Sequence, residues 1–255
     1  LVISNNQISA KSERAVYIYA VSGRLVVTDN QLERYDDSGC CAVGVSIQLT
    51  EAGEENTYES YADEFLFSGN TISGYGYGLY LNSRNIAYVI SDNTVLDSNY
   101  SAFSLEGSGE FTGNYIDGVS SSSYEGVRLS QSDANADSYI DVSGNVIINS
   151  NAVGIGVYDY ARPVISRNNI YDNNGAIRNN TAFDIDARNN WWGETDTATI
   201  NGSSNPTNLA FISDSNDDPS YGLVNYAGWL SDSFENVSVV AGPVTGTLSL
   251  VDGND

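Results

Sequence analysis

The segments Phe67-Ser-Gly-Asn-Thr-Ile72 and Ile90-Ser-Asp-Asn-Thr-Val95 share one six-residue pattern that decides the fold. The pattern is an apolar residue, Ser or Thr, any residue, Asn, any residue and a second apolar residue. It begins again at positions 3, 27, 111, 142 and 165, and residues 187–192 form a degenerate copy. Successive asparagines are 21 to 24 residues apart, except for two intervals of 40 and 31 residues. The chain is therefore a repeat protein. The recurring asparagines are Asn6, Asn30, Asn70, Asn93, Asn114, Asn145, Asn168 and Asn190.

The period of the repeat predicts the architecture. Apolar residues alternate on both sides of each asparagine, as short strands require. A unit of about 22 residues with three short strands and three turns is one coil of a parallel β-helix. Coils that stack about 4.8 Å apart place like residues above one another, which predicts a ladder of asparagines. We expect each asparagine to take the left-handed conformation of a tight bend. The prediction is an all-β solenoid of about eight coils.

Composition excludes several functional classes. The 255 residues include 33 Asp and Glu but only ten Lys and Arg, which gives a net charge of −23. A surface this negative repels nucleic acids and anionic lipids. In addition, no apolar run approaches the ~20 residues of a membrane span. We therefore expect no nucleic-acid partner and no membrane insertion. The absence of histidine excludes Ser-His-Asp and Cys-His catalysis and most His-ligated metal sites. The acidity suits either an ordinary exported protein or one from a high-salt habitat.

The repeats resemble those of the right-handed parallel β-helix proteins in the pectin-lyase-like superfamily. Two later segments, Asn189-Asn-Trp-Trp-Gly193 and Val224-Asn-Tyr-Ala-Gly-Trp-Leu230, resemble the closing coil and C-terminal cap of many members. The resemblance implies coils in residues 1–192 and a closing segment in residues 193–236. Residues 237–255 read as a linker or the start of a further module, so we expect covalently joined neighbouring domains. We also expect an extracellular or cell-surface location. The superfamily includes lyases, hydrolases and adhesins, so the fold leaves the function open.

The first strand of each coil is the candidate binding surface. In family members that act on polysaccharides, this strand forms the floor of the groove. Insertions at residues 50–64 and 130–138 follow it and would form the walls. Outward tyrosines on such a face suit sugar rings, and an outward arginine can orient a ligand by hydrogen bonding. The predicted partner is a polysaccharide or cell-surface glycan. The candidate ligand-binding residues are Tyr17, Tyr80, Ser104, Arg128 and Tyr158.

Catalysis is the alternative to binding. The resemblance implies that a polysaccharide lyase would use arginine or lysine as the base, with Arg128 the best candidate. A glycoside hydrolase would instead pair carboxylates, for which Glu106 with Glu125 or Asp159 are candidates. No catalytic signature of the family is present, and Arg128 can simply pair with Glu106, so we favour a non-catalytic binding, adhesin or scaffold module. A copper-handling periplasmic β-helix is a third alternative, against which the absence of His and Met argues.

One loop has the spacing of a calcium site. Asp133, Asn135, Asp137 and Asp141 place side-chain oxygens at relative positions 1, 3, 5 and 9, which favours Ca²⁺ as a cofactor. The loop lacks the glycine and the terminal glutamate of an EF-hand. The alternative is a solvated acidic loop. A looser copy of this pattern occupies residues 214–218.

The adjacent residues Cys40 and Cys41 are the only cysteines. Their α-carbons are about 3.8 Å apart, which is shorter than the usual disulfide range. The alternatives are a vicinal disulfide, two free buried thiols, or a link to another chain. We favour the vicinal disulfide, because an exported protein with an even number of cysteines is prone to oxidation.

Overall fold

The computed structural model describes residues 1–11, 13–19, 23–34, 42–48, 62–82, 87–135, 139–202 and 208–234. Its strands, numbered in chain order, form three sheets. Sheet A contains β1 (Val2–Ser4), β4 (Gly23–Thr28), β7 (Ala62–Ser68), β10 (Ala87–Ser91), β13 (Ser108–Thr112), β16 (Tyr139–Ser143), β19 (Arg162–Ser166), β22 (Ile185–Asp186) and β24 (Val224–Asn225). Sheet B contains β2 (Gln7–Ala10), β5 (Gln31–Arg34), β8 (Thr71–Ser73), β11 (Thr94–Ser98), β14 (Tyr115–Val119), β17 (Val146–Ser150) and β20 (Asn169–Tyr171).

Sheet C completes each coil. Its members are β3 (Arg14–Tyr19), β6 (Val43–Gln48), β9 (Tyr77–Asn82), β12 (Phe103–Glu106), β15 (Val127–Gln131), β18 (Val153–Asp159), β21 (Gly175–Asn180) and β23 (Ile212–Ser213). Each inner strand of a sheet pairs in parallel with the strand one coil before and one coil after it, and from β3 to β20 the chain runs from sheet C to A to B in each coil. This is the predicted right-handed parallel β-helix. The single helix of the described residues, α1 (Gly193–Gly202), follows the last complete coil.

The apolar core fills the interior between the three sheets. Strand alternation sends one side chain of each pair inward, and Leu79, Val127 and Phe111 are completely buried. Like residues stack along the solenoid, so that Ile90, Phe111 and Val142 lie opposite one another in consecutive strands of sheet A. The core is therefore one continuous column rather than a cluster at one end.

The predicted asparagine ladder is confirmed. Asn93 Oδ1 accepts hydrogen bonds from the backbone N–H and the side-chain Nδ2 of Asn70, both at 2.9 Å. Asn93 Nδ2 in turn donates to Asn114 Oδ1 at 2.9 Å and to the carbonyl of Phe67 at 3.0 Å. The same pattern connects successive members from Asn6 to Asn190. Each buried amide thus satisfies the polar groups of the neighbouring coil.

The left-handed residue of each bend was predicted one position too late. The positive φ angles belong to the residue that precedes each ladder asparagine, as at Asp29 (57°), Asp92 (57°) and Arg167 (56°). Where that residue is glycine, as at Gly69, it has the same conformation with φ of 66°. The asparagine is needed for its side-chain hydrogen bonds, and the preceding residue makes the turn.

Candidate functional site

Two columns of side chains cover the outer face of sheet C. In the first column, Tyr80 lies opposite Ser46 and Ser104, and Ser104 lies opposite Arg128. The second column contains Glu106, Ser130 and Tyr158. The structure therefore brings the five predicted ligand-binding residues onto one face. The first column, in order, is Tyr17, Ser46, Tyr80, Ser104, Arg128, Gly156, Arg178 and Ser213.

Four tyrosines form a cluster at the edge where the strands of sheet C begin. The ring of Tyr77 stacks on Tyr100 with centroids 5.4 Å apart and planes 13° apart, and it meets Tyr80 edge-on at 5.7 Å. Tyr100 meets the ring of Tyr124 edge-on at 4.8 Å. Of these, only Tyr80 was predicted. The signal for the others is their spacing: Tyr77, Tyr100 and Tyr124 are separated by 23 and 24 residues, which is the length of a coil.

A charged cluster continues the same face beyond the tyrosines. Glu125 is 2% exposed, and its carboxylate is 4.0 Å from Arg128 Nη1 and 3.5 Å from Arg178 Nη1. The hydroxyl of Tyr158 donates a short hydrogen bond to Glu125 Oε1. The guanidinium of Arg128 also lies over the Tyr158 ring, with Cζ 3.7 Å from the centroid. Arg128 thus pairs with Glu125, whereas the sequence suggested Glu106 as its partner.

Two features of this cluster follow from burial. The pKa of the Tyr158 hydroxyl is raised, first because it is partly buried and then because the Glu125 carboxylate is close. Glu125 Oε2 is buried and accepts no hydrogen bond from the described residues. Because Arg128 and Arg178 flank one carboxylate, their combined charge at this point is partly neutralised, while both guanidiniums remain about one third exposed.

The candidate catalytic residues occupy different local environments. Glu106 ends β12 and accepts a short hydrogen bond from the Ser132 hydroxyl. Asp159 ends β18, is exposed, and has a left-handed φ of 60°. Glu125 is buried beside Arg128. If Arg128 gave up its proton to act as a base, it would lose its attraction to the Glu125 carboxylate. This geometry suits Arg128 to binding better than to proton abstraction.

The described calcium-ligand candidates are divided between a loop and a strand of sheet A. Asp133 and Asn135 lie in the loop after β15, where Asp133 Oδ1 accepts the backbone N–H of Asn135 at 2.8 Å. Asp141 lies in β16 of sheet A, opposite Glu110. Asp137 is outside the described residues. Within the described ranges, no three His, Cys, Asp or Glu side chains form a group that could hold a metal ion.

The looser acidic loop at residues 214–218 is not arranged as a calcium site. Asp214 is buried, and its carboxylate accepts hydrogen bonds from the Asn216 backbone and side chain at 2.8 and 3.0 Å. Its second oxygen accepts the backbone N–H of Val224 at 2.9 Å. Because these N–H donors occupy the lone pairs that a cation would need, Asp214 holds the loop against β24 instead.

Soft metal donors are almost absent from the sequence. The chain has no histidine and no methionine, so Cys40 and Cys41 are its only sulfur ligands. Both cysteines, and most of the 50–64 insertion, lie outside the described residues. The donors left for a metal are overwhelmingly oxygens, which favour hard cations such as Ca²⁺ and Mg²⁺.

Within the part of the chain that the structure describes, no helix has the length and apolar character of a membrane span. Searches of the curated proteins and of the solved structures gave no significant match. One family model does match, over residues 22–209. It is described as the periplasmic copper-binding protein NosD, and it covers the greater part of the coils. Since more than half of the 255 residues match and the coils have the expected architecture, this chain belongs to the NosD family.

Proposed function

We propose that this chain is a non-catalytic β-helix module that binds glycan along the outer face of sheet C. One observation carries the proposal: the four-tyrosine cluster and the Glu125–Arg128–Arg178–Tyr158 cluster follow one another along that face. Along this face, a series of contacting aromatic rings is followed by two partly exposed guanidiniums.

The chemistry of the face suits saccharides. A tyrosine ring offers a flat apolar surface to the C–H face of a sugar, and its hydroxyl provides a polar contact. Tyr80 is partly exposed and Tyr124 is exposed, and the Tyr77 ring contacts both of them edge-on, with centroids 5.7 and 6.3 Å apart. Arg128 and Arg178 can donate charge-assisted hydrogen bonds to ring or substituent oxygens. Because the rings already contact one another, little side-chain freedom is lost on binding.

The family description is consistent with a location outside the cytoplasmic membrane, since its members are described as periplasmic. We propose that this chain acts at the cell surface or in the extracellular medium, as an adhesin or a scaffold. The polar, acidic surface and the tyrosine-rich face support this role. The proposed partners are polysaccharides or cell-surface glycans.

Copper binding is a poor fit to this member of the family. Copper sites in proteins draw on cysteine, methionine and histidine, and this sequence offers only the adjacent pair Cys40 and Cys41. We therefore propose that the fold of the family has been retained here without a histidine- or methionine-based copper site. Calcium, held by Asp133, Asn135, Asp137 and Asp141, is the metal that the oxygen donors favour.

A glycan array with the full chain tests the proposal. We expect binding that is lost or at least tenfold weaker in Tyr80→Ala and Arg128→Ala, because one removes a sugar-stacking ring and the other a charge-assisted donor. Tyr115→Ala is the matched control, since Tyr115 is a partly exposed tyrosine on sheet B. If the array shows no binding, the proposal is wrong. Binding that survives both sheet C substitutions would place the site elsewhere.

A lyase assay separates binding from catalysis. The non-catalytic proposal predicts that uronate polymers incubated with the protein give no unsaturated product, which would absorb in the ultraviolet. Product that appears with the wild type and disappears in Arg128→Ala would establish a lyase and overturn the non-catalytic assignment.

A further inference from the structure

A second group of exposed apolar side chains lies at the corner between sheets C and A. Three of the seven large apolar side chains that are exposed among the described residues lie there: Tyr139, Tyr160 and Leu223, which are 54%, 42% and 43% exposed. They belong to three different coils, since Tyr139 begins β16, Tyr160 precedes β19 and Leu223 precedes β24. Phe183, which is partly exposed, belongs to the coil between the last two. With Arg162, these residues are called the corner patch.

Arg162 is the charged member of the corner patch. It begins β19 opposite Tyr139 in β16, and its Cζ lies 3.9 Å from the centroid of the Phe183 ring. The Tyr160 ring also lies near the Phe183 ring, with centroids 6.4 Å apart and planes tilted by 47°. Among the described residues, no carboxylate lies within ion-pair distance of Arg162, whereas Arg128 and Arg178 share Glu125. An exposed, stacked guanidinium without a carboxylate partner is unusual in a chain of net charge −23.

The corner patch is held by backbone contacts rather than by mobile side chains. The Phe183 carbonyl accepts hydrogen bonds from Asn179 Nδ2 at 2.8 Å and from Thr181 Oγ1 at 3.2 Å. A β-carbon on Gly222 would lie 2.0 Å from this same carbonyl, so only glycine allows the two loops to approach. The backbone N–H of Tyr160 donates to the Gln131 carbonyl at 2.9 Å. These contacts fix the backbone from which the Tyr160 and Phe183 rings project, which lowers the entropic cost of binding.

We propose that the corner patch is a binding subsite for a saccharide that carries one acidic group, either a carboxylate or a sulfate ester. The sugar ring stacks on Tyr160 and Tyr139, and the acidic group takes the N–H donors of Arg162. A densely charged polymer would be repelled by the rest of the chain, so the ligand combines a single acidic group with neutral neighbours. The choice of a saccharide as the ligand rests on the proposed function, but the corner subsite is separate from the outer face of sheet C.

Site-resolved NMR titration of the isotopically labelled full chain tests this subsite. The probes are glucuronate, glucose 6-sulfate and glucose, which have a carboxylate, a sulfate ester and no acidic group, respectively. We expect at least one acidic probe to shift the Arg162 Nε–Hε and Tyr160 amide signals saturably, and glucose to shift them at least tenfold less strongly at equal concentration. The two acidic probes distinguish the carboxylate from the sulfate ester.

Two variants control for charge. Arg162→Gln should remove the preference for acidic probes. Arg167→Gln removes the same charge from another exposed arginine, at a bend where none of the described aromatic rings stacks on it, and should leave the titration unchanged. Because each NMR signal is assigned to one residue, the titration tests the glycan-binding face of sheet C and the corner subsite independently. Shifts confined to Tyr80 and Arg128 would support the sheet C face and overturn the corner subsite. The corner subsite is also overturned if the acidic probes shift neither the Arg162 nor the Tyr160 signal. It is likewise overturned if Arg162→Gln retains the preference for acidic probes.

Discussion

The side chain of Glu125 lies across Gly156, so that a β-carbon on Gly156 would be 2.5 Å from Glu125 Cγ and 2.9 Å from Cδ. Gly156 occupies the outward column between Arg128 and Arg178. Because Gly156 has no side chain, the carboxylate of Glu125, in the turn before β15, has room to reach the guanidiniums of both Arg128 and Arg178. The charged cluster therefore depends on a glycine in β18, which is one coil later than the glutamate.

The first prediction concerns this glycine. Gly156→Ala should destabilise the protein by about 1–3 kcal/mol, because the added methyl group displaces Glu125. The same substitution should cost clearly less in a Glu125→Ala background, where only the Tyr158 ring, with Cε2 2.9 Å from the added β-carbon, still has to shift. Urea unfolding of the four proteins in this cycle measures the coupling. Equal costs in both backgrounds would contradict the packing of Glu125 over Gly156.

The asparagine ladder gives a second prediction. Asn93→Leu should lower the free energy of unfolding by on the order of 3–5 kcal/mol, because it leaves several buried groups of the neighbouring coils without partners. Asn82→Leu is the control: Asn82 is exposed at the end of β9, and its replacement should change stability by less than about 0.5 kcal/mol. Chemical denaturation of both variants provides the measurement. Similar small losses would argue against a buried ladder.

Calcium binding at residues 133–141 is the third prediction. Millimolar Ca²⁺ should raise the melting temperature relative to excess chelator, because a ligand that binds only the folded state stabilises it. Asp133→Asn should abolish the increase. Asp92→Asn, which removes an exposed carboxylate at a bend, should retain it. Identical melting curves with calcium and with chelator would identify the loop as a solvated acidic segment.

Copper retention is the fourth prediction. After reduction, loading with Cu(I) and removal of free metal, the Cys40→Ser/Cys41→Ser double variant should retain no copper, since no other sulfur or imidazole ligand remains. The wild type should retain no more copper than the pair Cys40 and Cys41 can bind. Metal analysis by mass spectrometry quantifies both proteins. Stoichiometric copper in the double variant would mean that oxygen ligands suffice, contrary to the expectation from ligand softness.

Alkaline stability provides the fifth prediction. Partial burial and the neighbouring Asp117 raise the pKa of Tyr115 to about 12, and burial raises the pKa values of Tyr75 and Tyr171. The folded state thus holds these phenolic protons more tightly than the unfolded state, whose tyrosines ionise near 10. Stability should therefore fall as the pH rises from about 10 to about 12, and remain unaffected by these groups below 10.

Denaturation at a series of pH values measures this dependence. Tyr115→Phe should flatten part of the decline, because its ring cannot ionise. Absorbance at 295 nm follows phenolate formation directly and should show late-titrating tyrosines in the folded protein. A wild-type stability that does not change over this pH range would show that the tyrosines ionise equally in both states.

The coil architecture was accessible from sequence because its signals are local and repeated. The six-residue pattern around Asn93 fixes two strands and the bend between them, and the same solution recurs wherever the pattern does. Alternation then identified Tyr80 and Arg128 as outward. The error at the bends has the same origin: the pattern marks the bend but does not say which of two adjacent residues takes the positive φ.

The site was only partly accessible in this way. Tyr77, Tyr100 and Tyr124 follow the coil period, so an analysis of spacing beyond the asparagines would have found them. The partnership of Glu125 with Arg178 has no such signal, because each residue occurs once and they come from different coils. Their contact depends on the lengths of the intervening loops and on the space above Gly156.

The sequence by itself determined the repeat, the three short strands of each coil, the asparagine ladder and the direction of the strand side chains. These features depend on local spacing and on the stacking of like residues, which every coil repeats. Only the tertiary structure decided which unlike side chains meet. The pairing of Arg128 with Glu125 and the stacking of Arg162 on Phe183 each depend on corners whose lengths differ from coil to coil. Those distances are set by the packing of whole coils, not by any local pattern.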